Sequence, residues 1–159
     1  MVKATYQQGS HSKPVMIRLH PGSDIIEGIS GVCKNLKIRS GSITACIGSL
    51  QRASFFSVVP MKNKMGGGYS EPISMEGPLE LISAQGSIGI DDNENLFIHV
   101  HGVFSDSRGN AHGGHLIKGE CPVLITCEIM MHQLEGLRIL HQYDPEVEMK
   151  LLIPAKANI

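Results

Sequence analysis

Only one segment of this 159-residue chain has the apolar spacing of an α-helix, and most of the remainder has the character of short β-strands separated by turns. The helical stripe follows a break at Pro21-Gly22 and ends near Lys37. Ser23 is placed to cap this helix, and Asp24 falls in its first turn, where it complements the helix dipole. Seven to nine strands follow from the pattern, and most connections are turns rather than crossover helices. The sequence therefore predicts an α+β fold, an antiparallel β-sheet with one main helix packed on one face.

The predicted strands are segments of alternating or β-branched apolar residues bounded by turn-forming residues. They are Lys13–His20, Ile38–Ile47, Arg52–Pro60, Pro78–Ile90 (as one strand or a pair broken at Gly86), Leu96–Phe104, a strand from His115 onward, and Pro122–Met131, with weaker signals from His132 to Ile159. The glycines at 66–68 lack the G-x-x-x-x-G-K-[ST] context of a phosphate-binding loop, which favours a hairpin tip. Gly28 and Gly31 each cost a helix about 1 kcal/mol, which predicts that both lie where the helix packs closely on the sheet.

Length, cysteine usage and hydropathy indicate one cytoplasmic domain covering residues 1–159. No run of 18 apolar residues is present to span a membrane, and residues 1–13 lack the apolar stretch of a secretory signal. The cysteines form no C-x-x-C pair and lie in apolar stretches, so we expect buried, reduced thiols at Cys33, Cys46, Cys121 and Cys127.

Charge in this chain is sparse and balanced. There are 14 basic and 15 acidic residues, a net charge of −1, and the charged fraction is 18% against about a quarter in an average protein. This balance argues against binding nucleic acid through an overall basic field. The eight histidines are therefore the main candidates for proton transfer or metal binding near neutral pH.

Three of the histidines are predicted to converge. His99 and His101 are two residues apart in an apolar strand, so both project from one face about 7 Å apart. A loop of turn residues, Ser105–Asn110, then predicts a β-hairpin. If the loop has an odd number of residues, or an even number with a bulge, His101 pairs directly with His115, whereas His112 points the other way. Three imidazoles on one face fit a site for zinc or a similar divalent ion with one coordination position open.

The same spacing also fits a metal-free cluster of hydrogen-bonded histidines. Glu80 and Glu128 lie in apolar strand stretches, where a carboxylate needs a partner. Either could hold a ligating imidazole in place, and structural hydrogen bonding is the alternative role for both. We interpret the remaining histidines as surface residues or satisfied core residues: His11, His20, His132 and His141.

Several motifs in this order closely resemble the plants and prokaryotes conserved (PPC) domain family, over about Pro14 to Met131. They are the runs PGSDIIEG from Pro21, IGSLQRA from Ile47, LELISAQGSI from Leu79, IHVH from Ile98 and GGHL from Gly113. The resemblance implies an α+β domain with an antiparallel sheet and a packed helix, most often a homotrimer, and metal binding by members with the full histidine set. That set corresponds here to His99, His101 and His115. The implied fold is also similar to that of acetolactate decarboxylase, a zinc enzyme with its own H-x-H.

The resemblance also makes DNA a candidate partner, because stand-alone prokaryotic members are described as DNA-binding proteins. In plant members the domain follows AT-hooks, and this sequence contains no R-G-R-P motif of that kind. The basic residues that cluster after the helix, Lys34, Lys37 and Arg39, are also what an ordinary solvated face contains.

Three functions follow as hypotheses. The first is a trimeric, DNA-associated or regulatory module. The second is a small-molecule enzyme in which zinc polarises a carbonyl or activates water. The third is a structural oligomer whose histidines only fill space. A general acid or base cannot be picked from the sequence, since Glu80, Glu128 and Arg108 are equal candidates to face the ion.

Overall fold

The computed structural model describes residues 7–157, leaving aside the side chains of residues 11 and 12, and contains one helix and ten strands in that range. The helix α1 spans Ile25–Leu36. The strands are β1 (Ser10–Leu19), β2 (Gly41–Phe56), β3 (Val58–Pro60), β4 (Gly67–Tyr69), β5 (Ile73–Asp91), β6 (Leu96–Ser105), β7 (Ala111–Leu116), β8 (Val123–Glu135), β9 (Leu137–Asp144) and β10 (Met149–Lys156). The predicted α+β fold with one main helix and a mostly antiparallel sheet is confirmed.

Eight strands form one sheet in the order β1-β8-β2-β7-β6-β5-β9-β10, and β3 pairs with β4 in a separate hairpin. The described pairings are antiparallel apart from a short parallel contact between β5 and β9. Because β2 also pairs with β5, the strands β2, β7, β6 and β5 close into a ring. The core lies on one face of the sheet and includes Ile29 of α1, Leu50 of β2 and Phe104 of β6, all completely buried.

The cap of α1 differs from the prediction by one residue. Asp24, not Ser23, is the N-cap, and its Oδ1 accepts a hydrogen bond from the Glu27 backbone N–H at 2.9 Å. Its Oδ2 accepts another from the Cys121 N–H at 2.9 Å. An aspartate at this position, with two carboxylate oxygens, therefore starts the helix and also ties it to the chain that enters β8.

Two long strands run through glycines that could have ended them. The strands predicted on either side of Gly48 are continuous in β2, and the segment predicted as one strand or as a pair broken at Gly86 is continuous in β5. Both glycines are sites of close backbone approach: a Cβ on Gly86 would lie 2.0 Å from the His99 carbonyl oxygen, and one on Gly48 would lie 2.2 Å from that of Thr126. A glycine inside a strand thus marks a neighbouring backbone here, not a strand end.

The two helix glycines have different surroundings. A Cβ on Gly28 would lie 2.6 Å from Leu19 Cδ2, which confirms the predicted close packing of the helix on β1. A Cβ on Gly31 would meet nothing within 4 Å, so the same prediction is wrong for Gly31, whose exposed position faces away from the sheet. Gly31 therefore lowers the helix propensity with no compensating contact.

Replacing Gly31 with alanine is expected to stabilise the protein by about 0.5–1 kcal/mol, because alanine restricts the unfolded chain and fits the open helix surface. Urea denaturation measures this change. The matched control is Gly28→Ala in the same helix, which should give no gain because Leu19 must move. Equal gains in both variants would contradict the packing difference.

All four cysteines are free and buried, as predicted.

Among the described residues, no helix has both the length and the apolar character needed to cross a membrane.

Candidate metal centre

The candidate centre is built on the hairpin of β6 and β7. Its loop has five residues, 106–110, and Asp106 orders it: Oδ1 accepts hydrogen bonds from the backbone N–H groups of Arg108 and Asn110, each at 2.9 Å. The Asn110 side-chain amide donates to Asp106 Oδ2 at 3.0 Å, and this bond together with the backbone bonds lowers the pKa of the Asp106 carboxyl. The odd loop sets the register in which His101 pairs directly with His115, which confirms the predicted pairing.

His99, His101 and His115, which we call the triad, lie on the face of the sheet opposite the core. In β6 they alternate with Val100 and Phe104, which are completely buried. One potential ligand nitrogen from each ring lies within 4.8 Å of the others, and the Nε2 atoms of His99 and His101 are 2.9 Å apart and hydrogen-bonded. The structure therefore brings together the three histidines that the sequence singled out.

The surroundings of His99 and His115 favour neutral imidazoles. Burial, followed by the neighbouring rings of His99 and His101, lowers the pKa of His115 to about 4. Burial, then the charge of His101, also lowers the pKa of His99. A neutral ring keeps a lone pair on one nitrogen, which is the form that binds metal ions.

Tyr69 is a member of this site that sequence analysis missed. Its hydroxyl is hydrogen-bonded to His115 Nδ1 at 3.2 Å, and the two rings meet edge to face at 5.1 Å. Tyr69 comes from β4, directly after the glycines at 66–68, so the glycine-rich tip belongs to the hairpin that delivers this hydroxyl. When His115 Nε2 is a ligand, its Nδ1–H can donate to Tyr69, which fixes the ring.

His141 also lies beside the triad, although the sequence placed it among unrelated histidines. Its ring stacks on Phe97 with centroids 3.6 Å apart. Together with Tyr69 and Lys150 it lines a cavity of about 400 Å³ that is bounded by His99 and His115. Lys150 is held in this wall by Asp92 Oδ2 at 2.8 Å, and that ion pair raises its pKa.

The remaining predicted residues lie elsewhere. His112 pairs in register with Phe104 and is hydrogen-bonded to Asp106, so it points away from the triad as predicted. Glu80 pairs with Ser105, which lies about 13 Å from His101 along β6. Glu128 pairs with Ile47, which lies about 30 Å along β2 from Phe56, the residue that pairs with His115. The structure brings neither carboxylate to the triad. His20 is exposed and His132 half-buried in β8, and the side chain of His11 falls outside the described residues.

The donor set fits a divalent ion. A zinc–nitrogen distance of about 2.0–2.1 Å in a tetrahedral site separates two ligating nitrogens by roughly 3.3 Å, which lies within the 4.8 Å that bounds the triad nitrogens. Three imidazoles from two adjacent strands, with a cavity on one side, form the arrangement in which a coordination position stays open. Fold and site together define a strand-rich α+β protein with an open three-histidine centre.

Comparison with known families agrees with this description. Residues 6–135 match the Plants and Prokaryotes Conserved (PCC) domain, the family abbreviated PPC above. The chain belongs to this family. A similar curated protein is the "Bifunctional protein GlmU" of Synechococcus sp., which is 26% identical over 129 residues, 81% of this chain. That match covers only 18% of the length of the Synechococcus protein.

Solved structures with the same fold come from archaea and bacteria. A metal-containing protein of Archaeoglobus fulgidus matches with a TM-score of 0.79 and 23% identity, and the match covers 96% of this chain and 99% of that protein. For a plant- and prokaryote-conserved protein of Pyrococcus horikoshii the TM-score is 0.76 and the identity 23%, and the match covers 100% of this chain and 99% of that protein. For a "Putative DNA-binding protein" of Ralstonia eutropha the TM-score is 0.71 and the identity 23%, and the match covers 86% of this chain and 88% of that protein. At these identities the likeness shows the fold.

Proposed function

We propose that this PPC-family chain is a metal-binding module in which His99, His101 and His115 hold one divalent ion, zinc or a similar ion. The observation that carries the proposal is the convergence of three imidazole nitrogens within 4.8 Å of one another. An ion held by these residues would supply Lewis acidity and would lower the pKa of a water ligand. Elemental analysis of protein purified without a histidine tag tests the proposal.

Two further observations support it. The lowered pKa values of His99 and His115 correspond to the neutral, metal-binding form of imidazole. The Archaeoglobus fulgidus protein with the same fold is described as metal-containing.

The four cysteines are buried and free, and the Sγ atoms of Cys46 and Cys127 lie 3.2 Å apart. Unpaired thiols so close together fit a reducing compartment, and we therefore propose the cytoplasm.

Removal of the Tyr69 hydroxyl is expected to weaken metal binding by roughly tenfold without removing a ligand, because loss of a partner that orients a ligating histidine costs about 10- to 100-fold in affinity. Tyr69→Phe keeps the edge-to-face ring contact with His115 and deletes only the hydrogen bond. Competition with a zinc-sensitive dye measures the affinity. The control is Tyr143→Phe, an exposed tyrosine on β9, and equal affinity for Tyr69→Phe and the wild type would exclude the orienting role.

We propose a homotrimer as the working assembly. Large apolar side chains are exposed on the isolated chain, among them Ile125 (66% exposed), Met16 (59%) and Ile47 (52%). Contacts between copies remove such surface from water. Light scattering coupled to gel filtration tests this assembly, for which the expected mass is three times the 17.2 kDa of one chain.

DNA is the candidate partner in a regulatory role, and its support is the description of the Ralstonia eutropha protein. Phosphate contacts make binding depend on salt, so a duplex should bind much more tightly at 50 mM than at 200 mM salt. A gel shift that is absent at both concentrations would remove DNA from the proposal.

The second candidate function is a small-molecule enzyme whose ion polarises a carbonyl or activates water. The cavity of about 400 Å³ beside the triad favours it, because this volume falls in the range of small-molecule sites. Tyr69, His141 and Lys150 are the polar side chains that this chain offers to a bound molecule there. Screening carbonyl compounds and esters for turnover, with the His101→Ala protein as the blank, tests this alternative.

A further inference from the structure

A second cavity, of about 680 Å³, lies at the C-terminal end of α1 and has no triad histidine among its lining residues. Leu96, at the start of β6, gives it a partly exposed apolar surface, and the buried Cys33 and Ile38 lie beneath. The basic side chains around it come from two parts of the chain, the end of α1 with the residues that follow it and the segment after β7: Lys34, Lys37, Arg39 and Lys118. We call this cavity the α1 cleft.

Only part of the positive charge of the α1 cleft is neutralised from within. Glu94 is the one carboxylate among its lining residues, and it is already paired with both Arg39 and Arg138. In the part of the chain that the structure describes, the ion pairs do not include Lys34, Lys37 or Lys118. The chain as a whole has a net charge of −1, so this cleft concentrates positive charge that the composition does not reveal.

The usual role of basic residues at a helix end explains only part of this arrangement. One lysine in the last turn, Lys34, already complements the negative end of the helix dipole. Lys37 follows as the C-cap with φ 57°, a left-handed conformation that glycine adopts without strain and that commonly selects glycine at helix ends. Lys118, from the chain after β7, has no helix end of its own to stabilise.

We propose that the α1 cleft binds a small ligand with at least two negative charges on phosphate groups and an apolar portion that lies against Leu96. Its volume suits a ligand of nucleotide size. Converging lysines in one concavity match a compact polyanion, whereas a duplex needs an extended basic surface that contacts many separate phosphates. The cleft shares no lining residue with the cavity beside the triad, so this proposal stands apart from the metal.

Isothermal titration calorimetry with ADP and with inorganic pyrophosphate, at 50 mM salt and with EDTA present, tests the site. The variant Lys34→Gln with Lys118→Gln removes two charges from exposed side chains. Its dissociation constant for each probe should be at least about tenfold larger than that of the wild type, because charge-assisted contacts to phosphate are lost. The control, Lys13→Gln with Lys62→Gln, removes the same charge outside the cleft and should bind within about twofold of the wild type.

Three results would overturn the proposal. The first is that neither probe gives binding heat with the wild type. The second is that the two double variants lose the same affinity for the probes. The third is that a duplex oligonucleotide displaces ADP and that its binding depends on the same lysines. The last result would make the cleft a nucleic-acid surface. Thermal unfolding of each variant confirms that it is folded. Because EDTA removes divalent ions, failure of the triad to bind metal leaves the outcome unchanged.

Discussion

Replacement of His101 by alanine is expected to lower the metal content of the untagged protein from about one ion per chain to less than roughly a tenth of that. Four-ligand zinc sites bind with about 10–16 kcal/mol, so one ligand contributes roughly 3 kcal/mol, or a factor of about a hundred in the dissociation constant. His101 is the most exposed member of the triad and has no role in the core. Its loss should therefore remove the ion and leave the fold in place. Mass spectrometry of the metals in dialysed protein measures the content.

The matched control is His20→Ala. His20 is exposed near the end of β1, outside the triad, and its removal deletes the same chemical group. Metal content should not change in this variant. Equal metal content in the wild type and in His101→Ala would remove the triad as the binding site. A wild type that carries no metal after incubation with zinc would favour a metal-free cluster in which the bond between His99 and His101 is purely structural.

The triad was predictable because two local rules fix it. A spacing of two residues puts His99 and His101 on one face of a strand, and the length of the hairpin loop decides whether His115 pairs with His101. Both rules act over fewer than 20 residues and need no knowledge of the rest of the fold. The same locality explains why His112 could be assigned to the opposite face.

Tyr69 and His141 could not be predicted because distant parts of the chain bring them to the site. Tyr69 arrives on the β3–β4 hairpin, which precedes the triad by about 30 residues. His141 arrives through the parallel pairing of β9 with β5, in which it lies opposite Asp91. Neither contact leaves a periodic signal in the sequence. The glycines before Tyr69 were visible, but a glycine run indicates only a turn and not what the turn presents.

Glycines misled the assignment of strand ends for a physical reason. A glycine in a strand is compatible with a break or with a close neighbour, and sequence alone does not distinguish the two. At Gly86 the neighbour is the backbone of His99 itself. The glycine that appeared to interrupt β5 is thus the residue that lets β5 pair closely with the strand that carries two triad histidines.

Truncation of Phe104 to alanine is expected to have the largest effect on stability, a loss of about 3–5 kcal/mol in the free energy of unfolding. Phe104 is completely buried in β6 and packs edge to face on Phe55 at 5.3 Å between ring centroids. Typical domains are stable by only about 5–15 kcal/mol, so the variant should unfold at much lower urea concentration. Phe104→Leu retains most of the volume and should lose less, roughly 1–2 kcal/mol.

Substitutions on the two opposite faces of β6 test stability and metal binding separately. Phe104→Ala changes the core face, so protein that remains folded should keep the metal content of the wild type. His101→Ala changes the opposite face, and in EDTA its free energy of unfolding should lie within about 0.5 kcal/mol of the wild-type value, as for most substitutions outside the core. Urea denaturation and metal analysis of both variants test this separation. Loss of metal from folded Phe104→Ala would show that the triad depends on core packing beneath it, which contradicts independent faces. A large destabilisation of metal-free His101→Ala would show that the triad is part of the structural framework.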